Sequence, residues 1–496
     1  MQGKDSRLSR RTALKGMVIG GFGVVALPLL AACSTSQSTP TAAPAAASQA
    51  AAPTAAPAKA AAPTTAPAAK ATVATQSAPA ANVAPAGQKV EIRAHMVKKS
   101  DVSDWIAEGL KQNIDGWSTK HPNITVKLET IPGWTPQYIP KILSMVSAGQ
   151  IGDAVWYPPR HKDAIAWGTR YNVVRDLNPI AQAANYDWKQ FFDGAVQANS
   201  WQGKTYWMDY IGEPTVPLIA FNKTKIAAEG VGEPQENWTF DQLAVWAKSA
   251  TKAGVFGYYR GDAGDDSFGN VPYLRQWGIE PVDALGKKAT FLETTQQFVA
   301  ALQYRYDLVN TWKVSPSPSA GTINVQTLLG SQKLLATDVW PFRIQGYPAA
   351  FKDFEWGFVT TPVVKTGDKR RSMLNEHVFG VTQASKNAED AFTFLTWICG
   401  KEMNVQGIVQ GAKGTIARAD FWADERIYKA YPTYKKLQPI MESIEADFFV
   451  GNFRGAEFDA AFAEAYDVME LGKAQAAPTA QKIQQLCQAV LDKSPA

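Results

Sequence analysis

The chain has 496 residues, beyond the roughly 250 to 300 at which one hydrophobic core stops growing, so at least two lobes or domains are implied. Hydrophobic residues at 46% and aromatics at 11% suffice for globular burial. Beyond the N-terminus no uncharged apolar stretch reaches the about 18 residues of a membrane span, which excludes a polytopic membrane protein. The net charge of +5 sits at one end: residues 1–87 hold seven basic residues against Asp5, while the other 43 basic and 44 acidic residues nearly cancel, so a nucleic-acid partner loses its support.

The first element is a leader over residues 1–32. Ser9-Arg10-Arg11-Thr12-Ala13-Leu14-Lys15 precedes an uncharged run from Gly16 to Ala32, a basic region followed by an apolar one with small residues at its end. Arg10 and Arg11 before a Gly-rich, weakly apolar run resemble the twin-arginine export signal. Leu30-Ala31-Ala32-Cys33 resembles the lipobox of bacterial lipoproteins, in which the thiol is acylated and the chain is cut just before it; a thiol is needed because its thiolate is the nucleophile. The other reading is an uncleaved single span, which Pro28 and a run of only 17 residues make marginal. Residues 33–87 contain Ala, Pro, Thr, Ser and Gln almost exclusively, with no aromatic and no acid. Such a segment has nothing to bury and reads as a disordered tether, spanning about 40 Å as a coil and about 160 Å as polyproline II. Its threonines are open to O-glycosylation.

From Val90 the chain alternates strands and helices: strand 90–97, helix 102–119, strand 124–130, a helix carrying Ile139, Ile142, Leu143 and Val146, and strand 154–156. This βαβαβ run predicts an α/β fold with a largely parallel sheet and ligands at the C-terminal strand ends. Helices are expected at 239–252, 294–310, 388–410, 428–443, 458–471 and 479–491, and strands at 217–221, 333–338, 357–360 and 378–382. Cys399 and Cys487 fall in apolar helical patterns and read as buried free thiols, a disulfide being the alternative.

Seven motifs then occur in a familiar order: Lys120-His121-Pro122-Asn123-Ile124-Thr125-Val126, Ser147-Ala148-Gly149-Gln150-Ile151-Gly152-Asp153, Gly203-Lys204-Thr205-Tyr206-Trp207, Leu218-Ile219-Ala220-Phe221-Asn222-Lys223, Asn237-Trp238-Thr239-Phe240-Asp241-Gln242-Leu243, the run from Ala384 to Ala391, and Gly411-Ala412-Lys413-Gly414-Thr415-Ile416-Ala417-Arg418. Over nearly all of residues 88–496 the chain resembles the extracellular solute-binding proteins of ABC importers, the sugar-binding family that includes maltose-binding proteins. Gly152-Asp153 and Phe221-Asn222 depart from the Pro-Asp and Tyr-Asn usual there. The resemblance implies a two-lobed, type II periplasmic-binding-protein-like fold with a ligand cleft between lobes. One lobe would comprise 88–213 and 360–420 and the other 214–359 and 421–496, with crossings near Glu213 and Pro362. It further implies a monomer, held by a lipid on Cys33 at the outer face of the membrane, that passes a carbohydrate to permease subunits by hinge closure.

All sixteen tryptophans lie beyond residue 100. Aromatic rings suit sugars because a pyranose has an apolar C–H face and a polar rim. The ligand-binding candidates are Trp156, Tyr157 and Arg160 after the third strand, Trp207 with Asp209 and Tyr210, and Trp340, which stands at a position resembling a ligand-stacking tryptophan of the family. Trp105, Trp246 and Trp397 fall at helical spacing among apolar residues and read as core. No catalytic set is evident: His95, His121, His161 and His377 are scattered, no metal-ligand spacing, P-loop or nucleophile elbow occurs, and neither a cofactor nor a metal is expected. The alternatives to sugar capture are a binder of another polar solute, such as a polyamine or phosphate ester, and a secreted carbohydrate-active enzyme built on acids such as Asp209, Glu213 and Glu376.

Overall fold

The computed structural model describes residues 89–98, 105–133, 135–157, 161–215, 217–260, 267–318, 323–411 and 414–495; the expectations for Arg10, Arg11, Cys33 and the tether lie outside these residues. β1 (Val90–Lys98) forms the spine of the first sheet, and its inner residues from Ala94 to Val97 are buried on both faces, the pattern of a strand covered by helices on each side. β2 (Ile124–Pro132) lies parallel to it with Val90 opposite Ile124, and β3 (Ala154–Tyr157) lies parallel on its other edge with Ala94 opposite Ala154. The helices Trp105–Lys120 and Thr135–Ser147 make the crossovers, so the expected βαβαβ run is present. After a small hairpin of β4 (Ser200–Trp201) and β5 (Lys204–Thr205), β6 (Met208–Pro214) completes the outbound path through the first lobe.

Between Pro214 and Leu218 the chain crosses to a second sheet built from β7 (Leu218–Asn222), β8 (Phe256–Tyr259), β9 (Leu334–Val339) and β10 (Trp356–Thr360), in the order β10-β7-β9-β8. It crosses back between Thr360 and Leu374, and β11 (Leu374–Val381) inserts between β3 and β6, giving β2-β1-β3-β11-β6. The expected largely parallel sheet is therefore mixed. β11 is antiparallel to both neighbours because it enters the first sheet from the junction, the end at which β1, β3 and β6 finish. In the second sheet only β8 and β9 are parallel.

Two apolar clusters follow. One is rich in the rings of the first lobe, including Trp117, Tyr138, Trp156, Trp167 and Trp207, and extends onto one face of the second sheet. The other joins Ile219, Phe221 and Leu335 of the second sheet to Phe240, Phe298, Phe458 and Phe462 on flanking helices. Phe421, Trp422, Leu437 and Met441 belong to the first cluster and Phe448 and Val450 to the second. The third passage between lobes therefore falls near residues 445–448, not at 420/421 as expected. There Leu374 donates its N–H to the Glu445 carbonyl at 2.9 Å and Glu445 donates to Ser372 at 3.0 Å, so the second and third passages run side by side. Gly194 allows this: a Cβ there would stand 1.9 Å from the Ile444 carbonyl oxygen.

Several expected helices are shortened by local chemistry. The 388–410 helix is two, Ala388–Ile398 and Lys401–Val409, broken at Gly400. The 428–443 helix is broken at Tyr431 and Leu437, with Pro432 and Pro439 in the first turns of the segments that follow, Pro432–Lys436 and Gln438–Met441, where no intrahelical N–H is needed. Phe240–Ala250 starts as expected, with Thr239 and Gln242 forming a reciprocal capping box. Cys399 and Cys487 are buried thiols in different clusters, not joined in a disulfide.

Candidate functional site

Strand direction locates the site. In the first sheet Tyr157 stands opposite Val378 and Ala154 opposite Val381, so β3, and β1 parallel to it, end toward the junction from which β11 starts. In the second, Leu218 at the start of β7 stands opposite Val339 at the end of β9, and β8 runs parallel to β9. The C-terminal ends of both parallel pairs thus converge on the crossing segments, the place where α/β sheets hold ligands.

The second lobe supplies a polar cluster and an aromatic edge there. Tyr258 donates its hydroxyl to Asp338 Oδ1 at 2.6 Å, and Arg260 Nε lies 3.5 Å from Asp338 Oδ2. Arg260 also donates to Asn270 Oδ1 at 2.9 Å and lies 4.4 Å over the Tyr273 ring. These groups are buried, and burial together with the adjacent Asp338 carboxylate holds the Tyr258 hydroxyl well above the usual phenol range. A water-sized cavity of about 20 Å³ separates them from Thr215, Pro217 and Ser372 on the crossings. Trp340 follows β9 at the N-cap of the helix Pro341–Ala350 and is half-buried; its ring centroid is 6.4 Å from that of Phe342, which is 38% exposed. Arg343 lies 5.0 Å over the Phe342 ring.

From the first lobe comes Glu213, one residue before the end of β6 and 3% exposed. Asn375 on the paired strand donates its side-chain amide to Glu213 Oε1 at 3.1 Å. The backbone of Phe342, on the second lobe, is a smaller influence on the same carboxyl group and, like Asn375, favours its ionised form. Burial outweighs both influences and pushes the carboxyl up to about 8.

The candidates read from sequence fall in two classes. Trp340 stands at the junction with an accessible edge. Trp156, Tyr157, Trp207 and Tyr210 do not: each is 2% exposed or less. Trp156 packs between Tyr138 and His377, with centroids 5.3 and 5.5 Å away. Tyr157 meets Trp167 edge-on at 4.6 Å, and Trp207 packs against both while donating Nε1–H to the Ala164 carbonyl at 3.1 Å. Tyr210 sits edge-on to Phe379 at 5.2 Å. Their expected ligand-stacking role gives way to packing, because a strand covered on both faces buries successive side chains alike. Asp209 is buried and accepts the Ala417 N–H at 2.7 Å, tying β6 to the 414–418 segment. Arg160 lies outside the described residues. Arg260 and Asp338 were missed as site residues, although each ends a strand-like run; Phe342 was missed because nothing local marks a phenyl ring as exposed.

Among the described residues, no group of three or more His, Cys, Asp or Glu side chains is placed to hold a metal ion, and no helix is long and apolar enough to cross a membrane.

Comparison with known proteins agrees with this architecture. An ABC substrate-binding protein from Listeria monocytogenes, solved in complex with cycloalternan, superposes with a TM-score of 0.67 at 16% identity, covering 82% of this chain and 99% of that one. The cyclic alpha-maltosyl-1,6-maltose binding protein of Arthrobacter globiformis gives 0.67 at 18% identity, over 81% of this chain and 99% of that one. A maltose-bound MalE3 of T. maritima gives 0.63 at 16% identity, over 81% and 100%. No individually curated sequence matches the chain. At these identities the likeness establishes the two-lobed fold. The model of the family described as bacterial extracellular solute-binding protein matches residues 103–405, more than half of the chain, and the chain therefore belongs to that family.

Proposed function

We propose that this protein captures an oligosaccharide between its lobes and delivers it, unaltered, to the permease of an ABC importer. The observation that carries the reading is the pairing, at the converging strand ends, of the half-buried Trp340 ring with the Asp338–Arg260–Tyr258 cluster and Glu213. An apolar face beside fixed hydrogen-bonding groups matches a sugar ring, which has the same two aspects. The ligands named for the structural neighbours, cycloalternan and maltose among them, support a glucan-type solute. Binding between lobes stabilises the closed form by its differential affinity, and that form docks on the permease. The Arg10-Arg11 leader and Cys33 support export by the twin-arginine route and lipid anchoring, with residues 33–87 as the tether.

A thermal-shift screen of linear and cyclic gluco-oligosaccharides tests the reading. A true ligand raises the melting temperature with concentration, and chromatography recovers it intact. A shift with polyamines or phosphate esters only, or recovery of cleaved glycan, overturns it.

A further inference from the structure

We infer that a basic groove along the second passage between lobes is a binding site for a phosphate group carried on an organic body. The groove includes none of Trp340, Asp338, Arg260, Tyr258 and Glu213, so the inference goes beyond the proposed capture of a neutral sugar and does not depend on it.

The groove has a volume of about 580 Å³. Trp277 and Val364, both half-buried, give it an apolar wall, and Trp277 is backed by Phe240, stacked at 5.3 Å. Its basic side chains come from two elements. Arg275 lies at the end of the helix Ser267–Gln276, and Lys365, Lys369, Arg370 and Arg371 lie on the second passage.

Two of these five cations are neutralised by carboxylates. Arg371 is bonded to Glu445 at 2.8 and 2.7 Å and to Glu280 at 2.5 Å, and Arg275 to Glu280 at 3.1 Å. The other acid of the groove, Asp368, closes a turn: its carboxylate accepts the Lys365 N–H at 2.9 Å, and its own N–H returns to the Lys365 carbonyl at 3.1 Å. Lys365, Lys369 and Arg370 therefore stand against Asp368 alone, an excess of two positive charges. None of the three forms an ion pair among the described residues.

The charged run is held in place without a ligand. Before it, Val363 donates its N–H to the Trp238 carbonyl at 3.1 Å; after it, Arg371 donates to Gln276 Oε1 at 3.3 Å. Arg370 is fixed by Nε, which donates to the Thr361 carbonyl at 2.7 Å, and by Nη2, 3.4 Å from Asn237 Oδ1. Burial disfavours the charge on this guanidinium. The Glu236 carboxylate opposes that effect, but it is itself bonded to Lys436 and Thr360. An anion in the groove would supply the missing countercharge, and sites fixed in advance bind with less loss of side-chain freedom.

A phosphate fits this arrangement better than a monoanion, because its two charges match the excess and its oxygens suit a guanidinium beside ammonium groups. The volume is within the range of small-molecule sites and leaves room beyond a phosphate, which the Trp277 and Val364 wall assigns to an organic body. Soluble sugar phosphates and phospholipid headgroups share this chemistry.

The experiment is calorimetry with glucose 1-phosphate and inorganic phosphate, beside co-sedimentation with vesicles of phosphatidylglycerol in phosphatidylcholine. Glucose 1-phosphate should bind more tightly than inorganic phosphate. Lys369→Gln and Arg370→Gln should each weaken it about tenfold or more, and Arg370→Lys, which keeps the charge without the fork, should fall between. Lys482→Gln, an exposed lysine on the helix Ala476–Leu491, makes the same charge change elsewhere and should have no effect. Vesicle binding that Lys369→Gln abolishes, without binding of glucose 1-phosphate, assigns the phosphate to a lipid headgroup; the reverse assigns it to a soluble ester.

No binding of either probe, a Lys369→Gln variant that binds like wild type, or an equal loss in Lys482→Gln overturns the inference. Inorganic phosphate binding as tightly as glucose 1-phosphate overturns it too, since no organic body is then recognised. Lys369 is exposed, so its variant decides the matter even if Arg370→Gln does not fold. Lys369→Gln should leave affinity for an oligosaccharide from the screen unchanged, and a joint loss would place glucose 1-phosphate in the sugar cleft and reject the groove. If no oligosaccharide binds, the proposed function fails while the phosphate measurements still decide this site.

Discussion

Two tryptophans of similar sequence context do different work. Trp207 is fully buried, hydrogen-bonded to Ala164 and packed on Tyr157 and Trp167; a Cβ at Gly380 would come within 2.9 Å of its ring. Trp207→Ala is expected to cost about 3 to 5 kcal/mol of folding free energy through the cavity it leaves, seen as a lower urea midpoint. Trp340 is half-buried at the junction. Trp340→Ala is expected to leave stability nearly unchanged while removing about 1 to 3 kcal/mol of solute binding, roughly 5- to 150-fold in affinity. Calorimetry beside urea denaturation separates the effects, and equal affinity in the Trp340 variant would remove that ring from the site.

At the level of elements, the junction is stiffened by a ring of two guanidinium and two carboxylate groups. Arg371, on the second passage, donates to Glu445 on the third at 2.8 and 2.7 Å and to Glu280 of the second lobe at 2.5 Å. Arg275, at the end of the helix Ser267–Gln276, closes the ring onto Glu280 at 3.1 Å and onto the Ala446 carbonyl at 2.9 Å. The Arg371–carboxylate groups are about one-third exposed: 34% for Arg371, 39% for Glu280 and 32% for Glu445. Solvent screening therefore limits their worth, and Arg371→Ala is expected to cost about 1 to 2 kcal/mol. Because mobile ions screen the ring at short range, the loss should shrink between low salt and about 1 M salt. A cost independent of salt in urea titrations would assign the effect to packing of the arginine stem instead.

At the level of the whole chain, capture near a membrane requires the lobes to be held there. The proposed anchor is a lipid on Cys33, followed by residues 33–87, whose composition offers no apolar surface for a core. Cys33→Ser should abolish incorporation of labelled fatty acid and move the protein from the membrane fraction to the soluble one, without changing the melting temperature of the folded part. Undiminished labelling of that variant would refute the lipoprotein reading.

The order of strands and helices around β1 to β3 was legible in the sequence because each segment carries its own period: apolar residues recur at helical spacing in Thr135–Ser147 and run continuously in Ala154–Tyr157. The family motifs, and the proposed leader and tether, are likewise read locally, from composition or from a few adjacent residues. Which aromatic ring meets a solute is not local. β3 and β6 are buried at every position, so alternation no longer marks an outward face, and Trp156 and Trp207 look like site residues until the strands beside them are in place. Nor does any short segment reveal that Phe421 to Met441 join the cluster built around the rings of the first lobe. Those contacts join residues more than a hundred positions apart, and they exist only where the chain's three passages between lobes bring the two sheets together.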